Sequence, residues 1–494
     1  MREMIRRRML CFVAAIVFSL GSTGSAVAGE FQDDLRARRA RVMERLGPEA
    51  ILILWSAPPR TYSLDVDYEY HQDHNLYYLT GIDQEETTLV LMPGNATRKE
   101  ILFIKERNPV REHWTGHLLS KEEAVAQSGV EKVYLSNQFE AFVDAVLARL
   151  AYDVPRYYPS REYERFFNAV SAGRGRLSLI FTPKASLSRP LGPVNEFAKR
   201  VQERYPGIVV QDASDIFRDL RQVKTPYERK ILEHSVEISN QAHLAGMRAA
   251  RPGVYEYQVK AAIEQVYQTN GAYGWGYPSI VGSGPNSTIL HYEKATRKMQ
   301  PGDLLLVDAA ANFGYLTGDI TRTYPVSGTF SDLQKEIYGI VLSAQQEAIK
   351  VAKPGALLSD IHGKTVEVVK QGLLKLGLIT DASGDQYKTW YTHGACHFIG
   401  MDVHDVGDYD RPLEPGFAFV IEPGIYVRED GLSSLPKNAD NDAFIEKVRP
   451  AFEKYKNIGI RIEDSFLLTE SGLKRLSAGV PRTIDEIESF MKSR

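Results

Sequence analysis

Two aspartates close together in the chain have the type and spacing to do chemistry as a pair. Asp308 and Asp319 lie on either side of residues 312–315, a turn signal between apolar segments that predicts a β-hairpin. If the hairpin is centred between Phe313 and Gly314, the two aspartates face each other with Cβ atoms about 5 Å apart. Carboxylates at that separation repel, so one of them is protonated or a cation lies between them. The pair therefore predicts a site for two divalent ions, unless both aspartates merely cap turns.

Histidines are concentrated in one segment. His393, His397 and His404 fall close together, although the whole chain has only 11 histidines. Their spacing differs from the helical His-Glu-x-x-His zinc motif, because Gly394 occupies the position of the catalytic glutamate. A single histidine would more often be structural, but three of them beside glycines indicate a binding or catalytic site.

Two glutamates end strongly apolar segments. Glu422 follows residues 417–421, and Glu463 follows residues 458–462, where Arg461 shares its face if the segment is a strand. A buried carboxylate is costly unless it is paired or binds a metal. A solvated strand end would explain either glutamate alone better than it explains both.

Two aspartates, two glutamates and one histidine form an oxygen-dominated ligand set that suits Mn, Co, Zn or Fe. The chain has only two cysteines, which excludes a disulfide framework and a cysteine-based metal cluster. Divalent ions acidify water and polarise a carbonyl group, and neighbouring histidines can donate hydrogen bonds or move protons. We therefore predict metal-assisted hydrolysis of an amide bond.

The elements that must position these residues begin after a boundary near Arg221. Thr225 followed by Pro226 is typical of a helix start and predicts a long helix to about residue 250. Further helices are predicted at residues 255–269 and 332–352, and the rest of this part of the chain is rich in strand patterns.

Residues 30–215 have the pattern of a separate α/β unit. Strands are predicted at residues 51–54, 89–92 and 101–104, and helices at residues 121–128 and 141–151. Strands that alternate with helices favour a mixed or parallel sheet covered by helices.

The segment of residues 65–81 is unusually rich in Tyr, His and Asp. We interpret it as a polar-aromatic surface beside a partner domain, with a catalytic role as the alternative.

Composition and the N-terminus limit the class of protein. The 494 residues are 43% hydrophobic and carry a net charge of −3, which suits a globular enzyme of two or three domains and gives no general attraction to nucleic acid. Residues 1–28 have a basic head, an apolar run and a small-x-small ending, the order of a secretory signal peptide. We expect cleavage after Ala28 and a periplasmic or secreted protein without a membrane partner. The alternative is an uncleaved anchor.

Five motifs of the C-terminal part, in order along the chain, resemble the pita-bread metallopeptidases and most closely aminopeptidase P. They lie at residues 280–292, 308–325, 393–407, 422–426 and 459–464, and residues 68–92 resemble the N-terminal domain of the same family. The resemblance implies an α/β fold that follows the signal peptide expected over residues 1–28, with a mixed αβ domain over 29–215 and a pita-bread catalytic domain over 222–494. It also implies cleavage of the Xaa-Pro bond at the N-terminus of peptides.

The resemblance further implies a role for each site residue. The ligands of two divalent ions, of which Mn is the first choice and Co, Zn and Fe are the alternatives, would be Asp308, Asp319, His397, Glu422 and Glu463. The catalytic residues would be His291, His404 and Glu422. The substrate-binding residues would be His291, His393, His404, Tyr277 and Arg461. We expect a homo-oligomer, either a dimer or a tetramer.

One segment departs from the family pattern. Residues 427–458 are longer than expected for aminopeptidase P, and prolidases, which cleave Xaa-Pro dipeptides, carry longer segments at this place. Arg449 within this segment could bind the carboxylate of a dipeptide. An Xaa-Pro dipeptidase is therefore the alternative function, and a metal-free pita-bread binding scaffold is a more remote one.

Overall fold

The computed structural model describes residues 29–152, 161–181 and 191–493. The chain divides into two compact units, one that ends at Leu220 and one that begins at Arg221. The signal peptide expected over residues 1–28 lies outside the described residues. Within the described ranges, no helix is both long enough and apolar enough to cross a membrane.

The N-terminal unit is built on a six-stranded mixed sheet. The strands of the unit are β1 (Ala50–Trp55), β2 (Thr61–Ser63), β3 (Val66–Asp67), β4 (Thr88–Leu91), β5 (Glu100–Ile104), β6 (Val133–Leu135), β7 (Arg176–Leu179) and β8 (Val209–Asp212), of which β2 and β3 pair separately as a hairpin. The sheet has the order β6-β5-β4-β1-β7-β8, and β4 is antiparallel to both of its neighbours whereas the other pairs are parallel. The three strands predicted from sequence are confirmed as β1, β4 and β5.

The helices of this unit follow their local sequence signals. They are α1 (residues 29–46), α2 (His74–Thr80), α3 (Pro109–Thr115), α4 (Lys121–Ser128), α5 (Phe139–Leu147), α6 (Glu164–Ser171), α7 (Pro193–Arg204) and α8 (Ser214–Gln222), of which α8 contains the boundary to the next unit. The prediction of α4 is confirmed, and its first turn is closed by a capping box between Ser120 and Glu123. The predicted helix at residues 141–151 ends earlier than expected, because Arg149 adopts a φ of 59° that leaves the helical region.

The aromatic segment of residues 65–81 is a surface only in its first part. Tyr68 is 54% exposed, as expected, but Tyr78 is fully buried in α2. The interpretation of the whole segment as surface was therefore wrong for Tyr78, whose ring contacts the guanidinium group of Arg38.

The C-terminal unit combines long paired helices with several short antiparallel sheets. Its helices are α9 (Pro226–Ala249), α10 (Glu256–Thr269), α11 (Asp332–Val351), α12 (Leu358–Leu376), α13 (Ala439–Tyr455) and α14 (Ile484–Lys492). Helix α9 packs against α10, and α11 packs against α12. The predicted helices at 226–250, 255–269 and 332–352 are confirmed, and α9 begins with a capping box between Thr225 and Glu228.

The strands of this unit form three three-stranded sheets and one pair. They are β9 (Gly274–Trp275), β10 (Ile280–Ser283), β11 (Leu304–Asp308), β12 (Ala311–Phe313), β13 (Leu316–Thr317), β14 (Thr321–Pro325), β15 (Ala418–Ile421), β16 (Gly424–Tyr426), β17 (Gly459–Arg461), β18 (Asp464–Thr469) and β19 (Gly472–Arg475). The sheet orders are β10-β11-β14, β13-β12-β9 and β15-β18-β19, and β16 pairs with β17.

The predicted hairpin exists, but its predicted register was wrong. Phe313 pairs with Leu316, so the turn is centred between Gly314 and Tyr315, one residue later than expected. Both turn residues have positive φ, 58° and 65°, as a two-residue hairpin turn of type I′ requires. Asp308 consequently pairs with Thr321 rather than with Asp319.

Candidate metal centre

Four carboxylates meet where strands of the C-terminal unit are interrupted. Asp308 is the last residue of β11, and Asp319 lies in the gap between β13 and β14. Glu422 lies between β15 and β16, and Glu463 lies between β17 and β18. Where a strand is interrupted, its residues no longer alternate strictly between the two faces of the sheet. Each acid can therefore point into a common site instead of into the core or solvent.

The same register of strand pairing on both sides of the gap places the two glutamates opposite each other. Ile421 pairs with Asp464 on one side of the gap and Gly424 pairs with Arg461 on the other. Continuing either ladder by one step places Glu422 opposite Glu463. The two strands do not pair at Glu422 and Glu463 because the backbone amide of each glutamate donates a hydrogen bond to another segment of the chain.

Those two segments carry the other site residues. The amide of Glu422 donates to the carbonyl of Ala395 at 2.8 Å, and the amide of Glu463 donates to the carbonyl of Thr321 at 3.0 Å. The first bond ties Glu422 to the histidine segment, and the second ties Glu463 to the strand that follows Asp319.

His397 turns its Nε2 toward these acids. Its Nδ1 lies 3.1 Å from the backbone carbonyl of Phe398, which can only accept, so Nδ1 carries a proton. Nε2 lies 3.4 Å from Asp319 Oδ2, 3.7 Å from Glu422 Oε1 and 3.9 Å from Glu463 Oε1. An Nδ1–H group that is held by a carbonyl orients the ring for binding of a metal through Nε2.

The donor set fits divalent cations. Asp308, Asp319 and Glu463 can each bring one ligand atom to within 4.8 Å of the others, and so can His397, Glu422 and Glu463. The two groups share Glu463, which suits two neighbouring ions with a bridging carboxylate. Ligand atoms at about 2.1 Å from one ion lie about 3–3.5 Å apart, close to the separations around His397.

Two local observations fit the binding of cations at this site. Glu463 is 1% exposed, yet its Oε1 has no hydrogen-bond partner. The hydroxyl of Tyr277 lies 2.6 Å from Asp308 Oδ1 and 2.5 Å from Asp319 Oδ1, although it has one proton to donate. Both observations are explained when cations bind the oxygens that the protein leaves without a donor.

The pKa values of the acids follow their burial and their neighbours. Burial, and then the charge of Asp308, raises the pKa of Asp319 well above its usual range. Burial, and then the charge of Asp319, does the same to the pKa of Glu463. Burial and the charge of Glu463 raise the pKa of Glu422 to about 8. Without metal, the site therefore holds protons at neutral pH.

Asp308 behaves differently because it has a cation of its own. Burial opposes its ionisation, but the charge of Arg461, together with the hydrogen bonds from Tyr277 and Arg461, outweighs burial and lowers the pKa of Asp308. Arg461 donates from Nη2 to Asp308 Oδ2 and from Nε to the hydroxyl of Thr321 at 2.9 Å. The hydroxyl of Thr321 in turn donates to Glu463 Oε2 at 2.7 Å, so Arg461 orients one acid directly and a second one through Thr321.

A tyrosine links Arg461 to His393. Arg461 Nη1 donates to the buried Tyr426 hydroxyl at 2.9 Å, and that hydroxyl lies 2.8 Å from His393 Nε2. His393 Nδ1 lies 2.7 Å from the carbonyl of Gly394 and so carries the proton, which makes Tyr426 the donor to Nε2. Burial and the charge of Arg461 lower the pKa of His393 to about 3, so its ring is neutral at physiological pH.

His404 and His291 lie at the exposed side of the cluster. The ring of His404 packs edge-on against that of His397, with centroids 4.4 Å apart. Partial desolvation, and then the charges of His397 and His291, lower the pKa of His404. His291 is exposed and follows a 3-10 turn at Gly284–Thr288.

The structure brings together the site residues named from sequence. Asp308, Asp319, His397, Glu422 and Glu463 form the acidic cluster, while Tyr277 and Arg461 hydrogen-bond to it and His291, His393 and His404 border it. Arg449, by contrast, is exposed on α13 and forms no ion pair with the described residues.

Sequence reasoning gave no role to Thr321 or Tyr426. Thr321 lies two residues after Asp319, and Tyr426 ends the motif that begins with Glu422. Their positions beside known candidates were the available signal, but their hydrogen bonds depend on a register that only the structure supplies.

Two family models match the chain. The family model for metallopeptidase family M24 matches residues 230–470. The model for the aminopeptidase P N-terminal domain matches residues 35–154.

Two relatives match almost the whole chain. The Xaa-Pro aminopeptidase of Haemophilus influenzae is 32% identical over 471 residues, which cover 93% of this chain and 97% of the relative. The Xaa-Pro aminopeptidase of Escherichia coli is 31% identical over 470 residues, with 93% and 98% covered.

Solved structures show the same fold. The structure of Pseudomonas aeruginosa aminopeptidase PepP superposes with a TM-score of 0.78 at 32% identity, covering 94% of this chain and 98% of that one. A structure of Zn-substituted Escherichia coli aminopeptidase P in complex with product gives 0.77 at 29% identity, with the same shares covered.

Proposed function

The chain belongs to metallopeptidase family M24 and acts as a metal-dependent Xaa-Pro aminopeptidase, and we propose that Asp308, Asp319, His397, Glu422 and Glu463 hold its metal ions. The resemblance inferred from sequence is thereby confirmed, as is the α/β fold with a pita-bread catalytic domain. The relatives do not favour the prolidase alternative.

The observation that carries the metal assignment is Oε1 of Glu463, which is buried without a hydrogen-bond partner and lies 3.9 Å from Nε2 of His397. We propose that the site would hold two ions: Asp319 and Glu463 would be ligands of both, Asp308 would bind one, and His397 and Glu422 would bind the other. The donor set contains eight carboxylate oxygens and one imidazole, which favours Mn over Zn, with Co and Fe as alternatives. The complete donor set also argues against a metal-free scaffold.

Bound ions supply positive charge that acidifies water and polarises the substrate carbonyl. We assign the role of acid and base to Glu422, whose carboxylate lies 3.7 Å from His397 Nε2 within the ligand cluster. It accepts a proton from the attacking water and delivers it to the proline nitrogen as the Xaa-Pro bond breaks.

The histidines act by position. His404 and His291 lie on the exposed side of the cluster, where their N–H groups can donate to the oxygen that becomes negative in the transition state. His393 is neutral and both of its ring nitrogens are already hydrogen-bonded. We therefore give it no part in proton transfer and assign it to the proline side of the substrate.

A comparison of peptide lengths tests this function. With Mn²⁺ added, we expect hydrolysis of Xaa-Pro-Yaa peptides at a higher kcat/KM than Xaa-Pro dipeptides, with release of free Xaa. The matched control is Glu463→Ala, which should hydrolyse neither. Preference for the dipeptides would establish a prolidase instead.

Metal analysis tests the ions separately from activity. We expect two equivalents of Mn²⁺ per chain by elemental analysis after dialysis against Mn²⁺, and no more than one for Asp308→Ala. A single equivalent in the unaltered chain would contradict a two-ion centre.

We also propose export and self-association. The basic head and small-x-small ending of residues 1–28 support a cleaved signal peptide, and N-terminal sequencing of the mature protein should begin at Gly29.

The exposed apolar side chains of the β2–β3 hairpin, among them Tyr62 and the 95% exposed Leu64, support a homo-oligomer. Light scattering should give the mass of a dimer or tetramer, and Leu64→Asp should lower it.

A further inference from the structure

A buried ion-pair cluster lies directly behind the loop that carries His404. Asp405 accepts from Arg221 Nη2 at 2.6 Å and from Lys224 Nζ at 2.8 Å, and the three side chains are 1–3% exposed. Arg221 lies in the last turn of α8, and Lys224 lies between α8 and α9. Arg221 Nη2 also lies 2.7 Å from Oδ2 of the half-exposed Asp402. The acidic metal centre uses none of these four groups.

The loop is packed tightly around this cluster. A Cβ atom on Gly400 would lie 2.0 Å from Asp405 Oδ2 and 2.6 Å from Lys224 Nζ, so the ion pair occupies the space of a side chain. The amide of Asp405 donates to the carbonyl of Phe398 at 2.9 Å, and Lys224 Nζ donates to the carbonyl of Arg221 at 2.6 Å. The cluster thus connects the loop to the segment before α9.

His404 depends on its backbone for its position. The loop of residues 401–408 contains neither helix nor strand. Within the described residues the ring of His404 has no hydrogen-bond partner, and its one ring contact is the edge-on packing against His397. The neighbouring residue, Asp405, is held on both carboxylate oxygens, so it fixes the backbone from which the ring projects.

We infer that Arg221, Lys224 and Asp405 form an ion-paired anchor that positions His404 beside the metal ligands. They are positioning residues, and this inference rests on the proposed role of His404. Buried ion pairs are expensive to desolvate and add little net stability, so a cluster of two cations at this place is better explained by the geometry that it imposes on the loop.

A double-mutant cycle with His404 tests the anchor. Lys224→Gln keeps a hydrogen-bond donor but removes the charge, and we expect it to lower kcat about 10-fold with KM and Mn²⁺ content unchanged. In the His404→Ala background the same change should lower kcat less than about 2-fold, because the ring that it positions is absent. An equal loss in both backgrounds would overturn the inference, and Lys224→Arg should restore most of kcat.

Amide hydrogen exchange gives a readout that needs neither metal nor activity. Peptides that cover residues 399–408 should exchange faster in Lys224→Gln than in the unaltered chain, and unchanged exchange there would also overturn the inference. This measurement decides the anchor even if the chain fails to hydrolyse Xaa-Pro peptides, an outcome that would refute the proposed function instead.

Three further variants separate positioning from stability. Arg39→Gln breaks another buried ion pair, between Arg39 and Glu100 at 2.8 Å in the N-terminal unit, and should lower Tm without faster exchange at residues 399–408. Asp405→Asn leaves two buried cations underneutralised, and Asp402→Asn is the milder substitute if that protein does not fold. Asp402→Asn should lower kcat and speed amide exchange at residues 399–408 less than Lys224→Gln does. If it changes neither kcat nor exchange, Asp405 is the only carboxylate of the anchor.

Discussion

Removal of metal should make the catalytic unit lose stability as pH rises, the opposite of what most carboxylates do. Burial raises the pKa of Glu422 from 4.5 to about 8 in the metal-free chain. Below pH 4.5 the carboxyl is protonated in the folded and unfolded states alike, so its contribution is constant. Between pH 4.5 and 8 the unfolded chain releases the proton and the folded chain keeps it, so rising pH favours unfolding.

The size of the effect follows from that difference. At 1.36 kcal/mol per pH unit, Glu422 alone removes about 4 kcal/mol of stability between pH 5 and pH 8. Its side chain is 16% exposed, so solvent screening is modest. At about 2 °C per kcal/mol for a unit of this size, Tm should fall by about 8 °C. Asp319 and Glu463, whose pKa values are also raised, act in the same direction.

Scanning calorimetry on EDTA-treated protein measures the effect, with Glu422→Gln as the matched control. The amide cannot ionise, so the Tm of Glu422→Gln should fall less between pH 5 and 8 than that of the unaltered chain. Saturating Mn²⁺ should reverse the sign for the unaltered chain, because bound ions keep the carboxylates deprotonated and competition from protons weakens as pH rises. Parallel Tm curves for the two metal-free proteins would refute the idea that Glu422 is a protonated buried acid.

Three further predictions concern single side chains. Asp319→Ala and Glu463→Ala should abolish both Mn²⁺ binding by calorimetry and peptide hydrolysis, and full activity in either variant would exclude a shared-ligand centre. His404→Ala should keep its metal but lower kcat by about 10²–10³, the usual effect of removing a donor to a developing oxyanion, and an unchanged kcat would remove His404 from the mechanism. Arg322→Met breaks a fully buried pair with Asp464, 2.6 Å apart, and should destabilise the chain by about 3–5 kcal/mol in denaturant titrations without a change in KM; a loss below 1 kcal/mol would contradict it.

The sequence was sufficient to name the acids and to predict five of the helices, because both leave local signals. The N-cap of α9 and the apolar segments that end on Glu422 and Glu463 can be recognised without tertiary information. Register could not be obtained in this way. The turn signal at residues 312–315 allows a centre at either of two adjacent positions, and a shift by one position changes the partner of Asp308 from Asp319 to Thr321.

The contacts that orient the site were also beyond the sequence, because they join residues far apart in the chain. Arg461 reaches Asp308 across more than 150 positions, and Lys224 reaches Asp405 across more than 180. No periodicity or motif specifies such pairs. The sequence places Arg461 and Asp405 within motifs but does not say which partners hold them.

The long segment of residues 427–458 illustrates why chain length between motifs is a weak guide to substrate. Tyr426, the last residue of β16, pairs with Gly459, the first residue of β17, and beyond them the amides of Val427 and Asn457 form hydrogen bonds of 2.9 and 2.8 Å that close the base of the segment. The segment therefore leaves and re-enters the sheet at adjacent positions.

Because its ends meet, the segment can be long without moving Glu422 or Glu463. Most of its length forms α13, which buries Phe444, Val448 and Phe452 in the main core and stacks Phe452 on Trp390. Arg449, on the exposed side of α13, is not needed to explain any contact of the metal centre. The extra residues thus enlarge the core beside the site. Because the hairpin that carries them keeps the site unchanged, the length of the segment does not indicate a dipeptide substrate.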